Sequence, residues 1–178
     1  MCFCTELTAV PSRTRVLILR HAAEVNKTSN SGRLAALALA NSRLVDHGLP
    51  DASGRGHPLD VTQELGDAPW VLAPGGASGR PTAITTLVVI DSTWVNAKSM
   101  RWRIAPLSRV PTLTLPAPAI APLRMRRGTT DDQMATIEAI AAALELLDEP
   151  EPAAHLRRMF ALMAERVQAL RGFAMPPR

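Results

Sequence analysis

The sequence predicts an α/β fold built on a largely parallel sheet. Two short apolar runs rich in branched residues, Arg15–Arg20 and Thr86–Ile90, are typical of strands buried on both faces. Helical patterns follow both runs, and strands that alternate with helices form parallel sheets covered on both sides. The length of 178 residues suits one domain, 1–178.

The N-terminal part begins with an irregular lead-in, 1–14, before the strand at Arg15–Arg20. An Ala- and Leu-rich helix then runs to about Asn41. Ser29 or Asn30 would cap its first turn, because both side chains accept hydrogen bonds from free N–H groups.

The middle part contains three more strands and a helix. Residues 49–64 are rich in Pro, Gly, Asp and Ser, which predicts a loop. Trp70–Leu72 is the second predicted strand, and the Ala-Pro-Gly-Gly sequence at 73–76 would end it. After the third strand, Thr86–Ile90, a short helix is predicted over Trp94–Arg103 and a fourth strand over Thr112–Leu115.

The C-terminal part is predicted to be helical after a stiff connector at Pro118–Pro122. A capping box at 130–133 would open a helix that buries Ile137, Ile140, Leu144 and Leu147. Glu149–Pro152 would break that helix, and residues 151–178 would form a C-terminal helix and tail. Gly172 is placed to end the last helix, whose apolar face is Leu156, Phe160, Met163, Val167 and Leu170.

Charge is segregated along the chain, which has a net charge of +4. The segment from Ser92 to Thr130 has no Asp or Glu, whereas 131–155 has acids and no Lys or Arg. Segregation on this scale indicates a polyanionic partner, and the planar guanidinium of Arg suits phosphate. The basic residues of the first segment are Lys98, Arg101, Arg103, Arg109, Arg124, Arg126 and Arg127.

The same composition excludes other classes of protein. No apolar run is long enough to cross a bilayer, and the N-terminus has no signal-peptide core. We therefore expect a cytoplasmic protein without a membrane partner.

Cys2 and Cys4 form a Cys-x-Cys pair that suits half of a zinc site, but two ligands do not complete a tetrahedral one. The alternative is a pair of reduced thiols.

Polar residues follow three of the predicted strands, in the segments His21–Arg33, Leu72–Gly76 and Asp91–Trp94. Parallel sheets bind ligands outside the carboxyl ends of their strands, so these segments should share one edge. A polar first helical turn after a strand leaves free N–H groups that favour an anion. The third segment, Asp-Ser-Thr-Trp, delivers an acid, two hydroxyls and an indole to that edge.

These segments, read in order, resemble the DTW-domain family from about Cys2 to Leu147. Two departures are an upstream Cys-x-x-Cys that many members have and this chain lacks, and Ala121-Pro122 where a Tyr is common. The motifs that carry the resemblance are His21-x-x-Glu24, Ser29–Leu34, Leu72-x-Pro74, Asp91-x-Thr93-Trp94-x-x-Ala97-Lys98-x-Met100, Leu107-x-x-x-Pro111, Leu123-Arg124 and Thr136-x-Glu138-Ala139.

The resemblance implies a tRNA-uridine aminocarboxypropyltransferase. Such enzymes transfer the 3-amino-3-carboxypropyl group of S-adenosylmethionine to N3 of a uridine and release methylthioadenosine. A SPOUT-like fold with a C-terminal trefoil knot at the cofactor site is implied as well. The expected cofactor is S-adenosylmethionine and the expected partner is tRNA, whereas zinc and the oligomeric state stay open.

Asp91 is the candidate general base, since a carboxylate beside N3 of uridine would take its proton. Thr93 and Trp94 complete the catalytic candidates, with Trp94 lowering the local polarity. The candidates for cofactor binding are Leu72, Ala73, Pro74, Asp91, Ser92, Thr93, Leu107, Pro111 and Arg124. The candidates for RNA binding or for completing the site are His21, Glu24, Asn30, Arg33, Lys98, Arg101, Arg103, Arg126 and Arg127. The candidate metal ligands are Cys2 and Cys4.

Structural roles compete with several of these assignments. Asp91 would also serve as the cap of the helix at Trp94, and Glu24 with Lys27 as a surface ion pair. Trp94 and Trp102 are expected in the core or in helix packing rather than as stacking platforms for bases. Two other functions fit the same charge pattern: an S-adenosylmethionine-dependent SPOUT-type RNA methyltransferase and a non-catalytic RNA-binding module.

Overall fold

Strands and helices alternate through the chain, as the apolar pattern predicts. The structure, a computed structural model, describes residues 5–50, 53–54, 59–78, 81, 83–116 and 134–170. The elements in chain order are β1 (Arg15–His21), α1 (Ala22–Val25), α2 (Ser31–Ala38), β2 (Ser42–His47), α3 (Thr62–Leu65), β3 (Pro69–Ser78), β4 (Thr86–Asp91), α4 (Trp94–Arg103), a 3₁₀ turn (Leu107–Arg109), β5 (Thr112–Thr114), α5 (Thr136–Leu146) and α6 (Pro150–Leu170).

The five strands form one sheet in the order β2-β1-β4-β3-β5, and every pairing is parallel. The predicted α/β class with a mostly parallel sheet is therefore confirmed. Arg20 of β1 lies beside Asp91 of β4, and His21 beside His47 of β2. These register pairs place the polar and ionisable residues named above at the carboxyl ends of the three neighbouring strands.

Both faces of the sheet are covered, which explains why the central residues of β1 and β4 are all apolar. Alternate residues of β1 point to opposite faces, so Val16 and Ile18 pack with α2, α5 and α6, whereas Leu17 and Leu19 pack with the other core. That second core holds Met100 of α4, Ile104 and Leu107. The helices that follow β1 and β4 thus lie on opposite faces of the sheet.

Two strands differ from the sequence prediction. β2 was not predicted, because it is a half-buried edge strand whose only apolar residues are Leu44 and Val45. β3 does not end at residues 73–76 but continues to Ser78. Its pairing with β5 shifts register between Leu72 and Ala77, so the Ala-Pro-Gly-Gly sequence forms a bulge within the strand.

The C-terminal helices follow their predicted apolar faces, and Ile137, Ile140, Leu144, Leu156 and Phe160 are buried. α5 begins at Thr136 rather than at the predicted capping box, and the Glu138 carboxylate accepts a hydrogen bond from the Ala135 N–H at 2.8 Å. The box itself, the Pro118–Pro122 connector, the C-terminal tail and the segment 117–133 lie outside the described residues. The predicted trefoil knot therefore stays a prediction.

The buried Glu149 holds the N-terminal lead-in against the α5–α6 junction. Its carboxylate accepts hydrogen bonds from the backbone N–H groups of Arg13 at 2.6 Å and Thr14 at 3.0 Å. Two backbone donors would lose their acceptor in Glu149→Ala, so we expect this change to lower the free energy of unfolding by about 2 kcal/mol.

Urea unfolding measures this effect, and Glu145→Ala is the matched control. Glu145 forms an exposed ion pair with Arg157, and such pairs contribute roughly 0–1 kcal/mol. Equal losses in the two variants would contradict the role given to Glu149.

Candidate functional site

The candidate site lies where the sheet reverses its direction of winding. The chain leaves β1 toward α2 on one face and leaves β4 toward α4 on the other. Because β1 and β4 are neighbours, their exits open a crevice between them, which is where ligands bind in parallel α/β sheets. His21 stands at one exit, and Asp91, Ser92 and Thr93 stand at the other.

Asp91 is the central residue of this crevice and is only 5% exposed. Its Oδ2 accepts a hydrogen bond from Nδ2 of Asn30 at 2.6 Å, and its Oδ1 accepts one from Oγ1 of Thr136 at 2.5 Å. A Cβ on Gly32 would come within 2.6 Å of Oδ2, so only glycine lets α2 approach the carboxylate. Asp91 therefore joins β4 to the first turns of both α2 and α5.

The alternative in which Asp91 caps the next helix is wrong. Oγ1 of Thr93 caps α4 instead, accepting a hydrogen bond from the Asn96 N–H at 3.4 Å. The expectation that Trp94 and Trp102 lie in the core or in helix packing is wrong as well, because they are 54% and 67% exposed. Both corrections leave the Asp91 carboxylate with partners from α2 and α5 rather than from α4.

Asn30 caps α2, one of the two alternatives for that position. Its Oδ1 accepts a hydrogen bond from the Arg33 N–H at 2.6 Å while its Nδ2 donates to Asp91. The side chain must therefore supply one acceptor and one donor, which a primary amide does and a carboxylate does not. Arg33, one turn along, is exposed.

His21 and Glu24 lie at the β1 exit. Nδ1 of His21 accepts a hydrogen bond from the Ala23 N–H at 3.1 Å and so caps α1. Glu24 forms an ion pair with Lys27, as expected if the two residues have a structural role. The pair is not a surface pair, however, because the Glu24 carboxylate is buried. Burial makes the pair more than a solvated surface contact.

His47 was not predicted, and the strand register is what reveals it. Its ring lies 6.5 Å from that of His21, centroid to centroid, and its buried Nδ1 has no hydrogen-bond partner among the described residues. Burial lowers the pKa of the His47 imidazole below its ordinary value, and His21 and Arg103 lower it further. No motif in the sequence marks this residue, because β2 itself carries a weak pattern.

Thr136 was also missed as a site residue, although it belongs to a motif of the resemblance. Arg20 is a further buried neighbour, and two of its nitrogens bind the Asp46 carboxylate at 2.6 and 2.9 Å. The hydrogen bonds that Arg20 donates to the Asp46 carboxylate raise the pKa of the Arg20 guanidinium, against the opposing effect of burial. Arg20 therefore stays a fixed positive charge behind Asp91.

The bulge of β3 forms the second wall of the candidate cofactor site. Oγ1 of Thr114 donates to the Ala73 carbonyl at 2.9 Å and accepts from the Gly76 N–H at 2.6 Å. A Cβ on Gly76 would lie 2.4 Å from the Thr112 carbonyl, so the bulge packs against β5 at a glycine. Leu72 is half-buried and Pro74 is exposed at this wall.

The hydroxyl group of Ser92 supports the cofactor-binding role predicted for this residue. Its hydroxyl oxygen is buried and has no hydrogen-bond partner in the described part of the chain. Buried polar groups are nearly always paired, so an unpaired hydroxyl at a strand exit is consistent with a ligand that completes it. S-adenosylmethionine, with its amine, carboxylate and ribose hydroxyls, offers such partners.

Other predicted cofactor residues contribute differently. The Leu107 side chain is fully buried in the second core, and the Pro111 carbonyl accepts a hydrogen bond from the Val71 N–H at 2.8 Å. Neither of these groups faces the crevice freely. Arg124, the remaining candidate of that set, lies outside the described residues.

The predicted RNA contacts separate into two groups. Arg101 is half-buried, and its Nη2 donates to the Val110 carbonyl at 2.9 Å and to Oγ1 of Thr112 at 2.7 Å. Burial lowers the pKa of the Arg101 guanidinium. Arg101 thus fastens α4 to β5, whereas Lys98 and Arg103 are exposed. Arg126 and Arg127 lie outside the described residues.

Within the described residues, the structure has neither a metal-binding cluster nor a membrane-spanning helix. No group of three His, Cys, Asp or Glu side chains there is arranged to hold a metal ion. Cys2 and Cys4, the candidate zinc ligands, lie outside those residues. None of the helices in the described ranges combines the length and apolar character needed to cross a membrane.

Comparisons with known proteins agree with this arrangement. The family model of the DTW domain matches residues 1–168. The structure is similar to the SAM-dependent rRNA:acp-transferase Tsr3 from Vulcanisaeta distributa, with a TM-score of 0.52 and 17% sequence identity over 91% of each chain. This similarity confirms the predicted SPOUT-like arrangement of a parallel sheet flanked by helices.

Proposed function

Because the chain belongs to the DTW-domain family, we propose that it transfers the 3-amino-3-carboxypropyl group of S-adenosylmethionine to N3 of a uridine in tRNA. The observation that carries the proposal is the placement of the family's Asp-x-Thr-Trp segment at the crevice between β1 and β4. The similarity to Tsr3, an acp-transferase that depends on the same cofactor, supports the reaction class.

Bound S-adenosylmethionine would supply the transferred group on a positively charged sulfur, and methylthioadenosine would leave as N3 forms its bond to the adjoining carbon. The protein must therefore remove the proton from N3, because a protonated N3 is a poor nucleophile. It must also hold the aminocarboxypropyl arm, rather than the methyl group, toward the uridine.

Asp91 is the proposed base. Each carboxylate oxygen already accepts one hydrogen bond, from Asn30 or Thr136, and retains a second lone pair for the N3 proton. Thr136 is only half-buried, so its hydroxyl offers a second route: it accepts the N3 proton while its own proton passes to Oδ1. The hydrogen bond from Asn30 fixes the carboxylate in place in both routes.

The proposed cofactor contacts are the unpaired Ser92 hydroxyl and the backbone of the β3 bulge around Ala73 and Pro74. A guanidinium would hold the cofactor carboxylate best, because its planar fork matches two oxygens. The exposed cations on α2 and α4 are Arg33, Lys98 and Arg103, and Arg33 is the one guanidinium among them that lies in a first helical turn.

Product analysis tests the reaction class. Protein, S-adenosylmethionine and a tRNA transcript are incubated together, and the nucleoside products are identified by mass spectrometry. We expect methylthioadenosine and a modified uridine in equal amounts. S-adenosylhomocysteine in their place would support the methyltransferase alternative, and RNA binding without either product would support a non-catalytic module.

Ribosomal RNA is the second candidate substrate, and the similarity to Tsr3, an rRNA:acp-transferase, favours it. Parallel reactions with a tRNA transcript and a ribosomal RNA fragment separate the two. Mass spectrometry of both RNA classes from cells that lack the gene gives the same answer in vivo, since the missing modification identifies the substrate.

A further inference from the structure

α4 exposes an unusual amount of apolar surface for a helix of ten residues. Trp94 is 54% exposed, Val95 81% and Trp102 67%, whereas Met100 is the one residue of the helix that is buried. Single exposed apolar residues are ordinary, but several large ones on one short helix indicate a surface that another molecule covers.

The exposed residues lie on one stripe. Trp94, Lys98 and Trp102 are spaced by four, so they follow each other along one side of the helix, and Val95 lies beside them. The two indoles are separated by two helical turns, about 12 Å along the axis. Trp94 is at the crevice end of α4, and Trp102 is at the far end.

The charge around this stripe indicates what covers it. Lys98, Arg103 and Arg109 are exposed and have no ion pair within the described ranges. The sequence from Ser92 to Thr130 has no acid. Flat aromatic rings between unpaired cations match single-stranded nucleic acid, which presents base faces and phosphates together.

We propose that the α4 stripe, Trp94, Val95, Lys98 and Trp102, is the docking surface for an unpaired segment of the RNA substrate. A base stacks on Trp102, and the neighbouring phosphates bind Lys98 and Arg103. The strand then runs along α4 to Asp91, so the stripe admits unstacked nucleotides and discriminates against duplex. This inference rests on the proposed function for the identity of the RNA, but not for the binding itself.

Direct binding without cofactor tests the stripe. The fluorescence anisotropy of a labelled oligouridylate and of a labelled tRNA transcript reports affinity for the wild type and for Trp102→Ala. We expect Trp102→Ala to lower both affinities roughly tenfold, because stacking on one aromatic side chain contributes that much. Trp102→Phe should retain part of the affinity, and double-stranded RNA of the same length should show no difference between variants.

Leu37→Ala is the matched control, since Leu37 is a half-exposed apolar residue on α2, away from the stripe. It should leave RNA affinity unchanged. Salt dependence gives a second, independent readout. Log affinity decreases with log salt concentration, and this decrease should be less steep by about 0.7 in Lys98→Ala, because the variant loses a phosphate contact. The steepness should stay unchanged in Trp102→Ala.

Unchanged oligouridylate affinity in a folded Trp102→Ala variant would overturn the proposal. The same holds if sedimentation shows a dimer that this variant dissociates, because a second copy of the chain would then cover the stripe. Failure of the enzymatic proposal is distinguishable: RNA affinity would still depend on Trp102, but no methylthioadenosine would form.

Discussion

Asp91→Asn is expected to fold normally and to lose transfer activity by a factor of about 10²–10⁴, the usual contribution of a general base. The structure explains why the fold should survive. The Asn oxygen can accept from Asn30 in the place of Oδ2, and its amide can donate to Thr136, whose hydroxyl accepts as well as it donates. Only the negative charge and the proton-accepting oxygen are lost.

Thermal unfolding and single-turnover kinetics at saturating cofactor measure the two halves of this prediction. Asp91→Ala is the contrasting variant, because it leaves the buried Asn30 amide without an acceptor and should destabilise the fold by about 1–3 kcal/mol. Full activity in a folded Asp91→Asn variant would remove Asp91 from the chemistry and leave it a structural residue.

Asn30→Asp should have the largest effect on stability, although the two side chains have nearly the same shape. Oδ2 of Asp91 lies 2.6 Å from the amide nitrogen that this substitution replaces with a second carboxylate oxygen. Two buried carboxylates at this distance cannot both be ionised. We expect the free energy of unfolding to fall by about 3–5 kcal/mol at neutral pH, as when a buried charge loses its partner.

The pH dependence identifies the cause. The folded variant must bind a proton that the unfolded chain releases, so its stability falls as pH rises. The difference in the free energy of unfolding between the wild type and Asn30→Asp should therefore become smaller as the pH is lowered from about 8 to about 5. Chemical unfolding at several pH values measures this difference. Thr28→Asp is the control, because it adds a charge at an exposed position of the same loop and should show no such narrowing. A deficit independent of pH would instead indicate a packing defect.

The sequence predicts those parts of the fold in which one apolar pattern dominates. β1 and β4 are buried on both faces, so their composition alone identifies them. β2 has one exposed edge and a polar sequence, which is why it escapes detection. β3 continues through Ala-Pro-Gly-Gly because Thr114 supplies hydrogen bonds that local propensity does not register.

The sequence predicts which segments lie together at the site, but it does not predict the hydrogen bonds between them. The rule for parallel sheets brings Asn30 and Asp91 to one edge. Their hydrogen bond and the contribution of Thr136 depend on how α2 and α5 pack, which no local pattern encodes. The exposure of Trp94 and Trp102 was missed for a related reason: an indole is usually buried, and only the position of α4 at the edge of the fold leaves both in solvent.

The two partners of Asp91 stand 61 and 45 residues away along the chain, one on each side of it. Contacts of such long range close large loops, so forming them costs more chain entropy than forming contacts between neighbouring residues. A chain that has folded its local helices but not docked α2 and α5 would therefore carry none of the site. The site would therefore assemble late in folding and as one unit, because α2, β4 and α5 must meet before the Asp91 carboxylate has both of its partners.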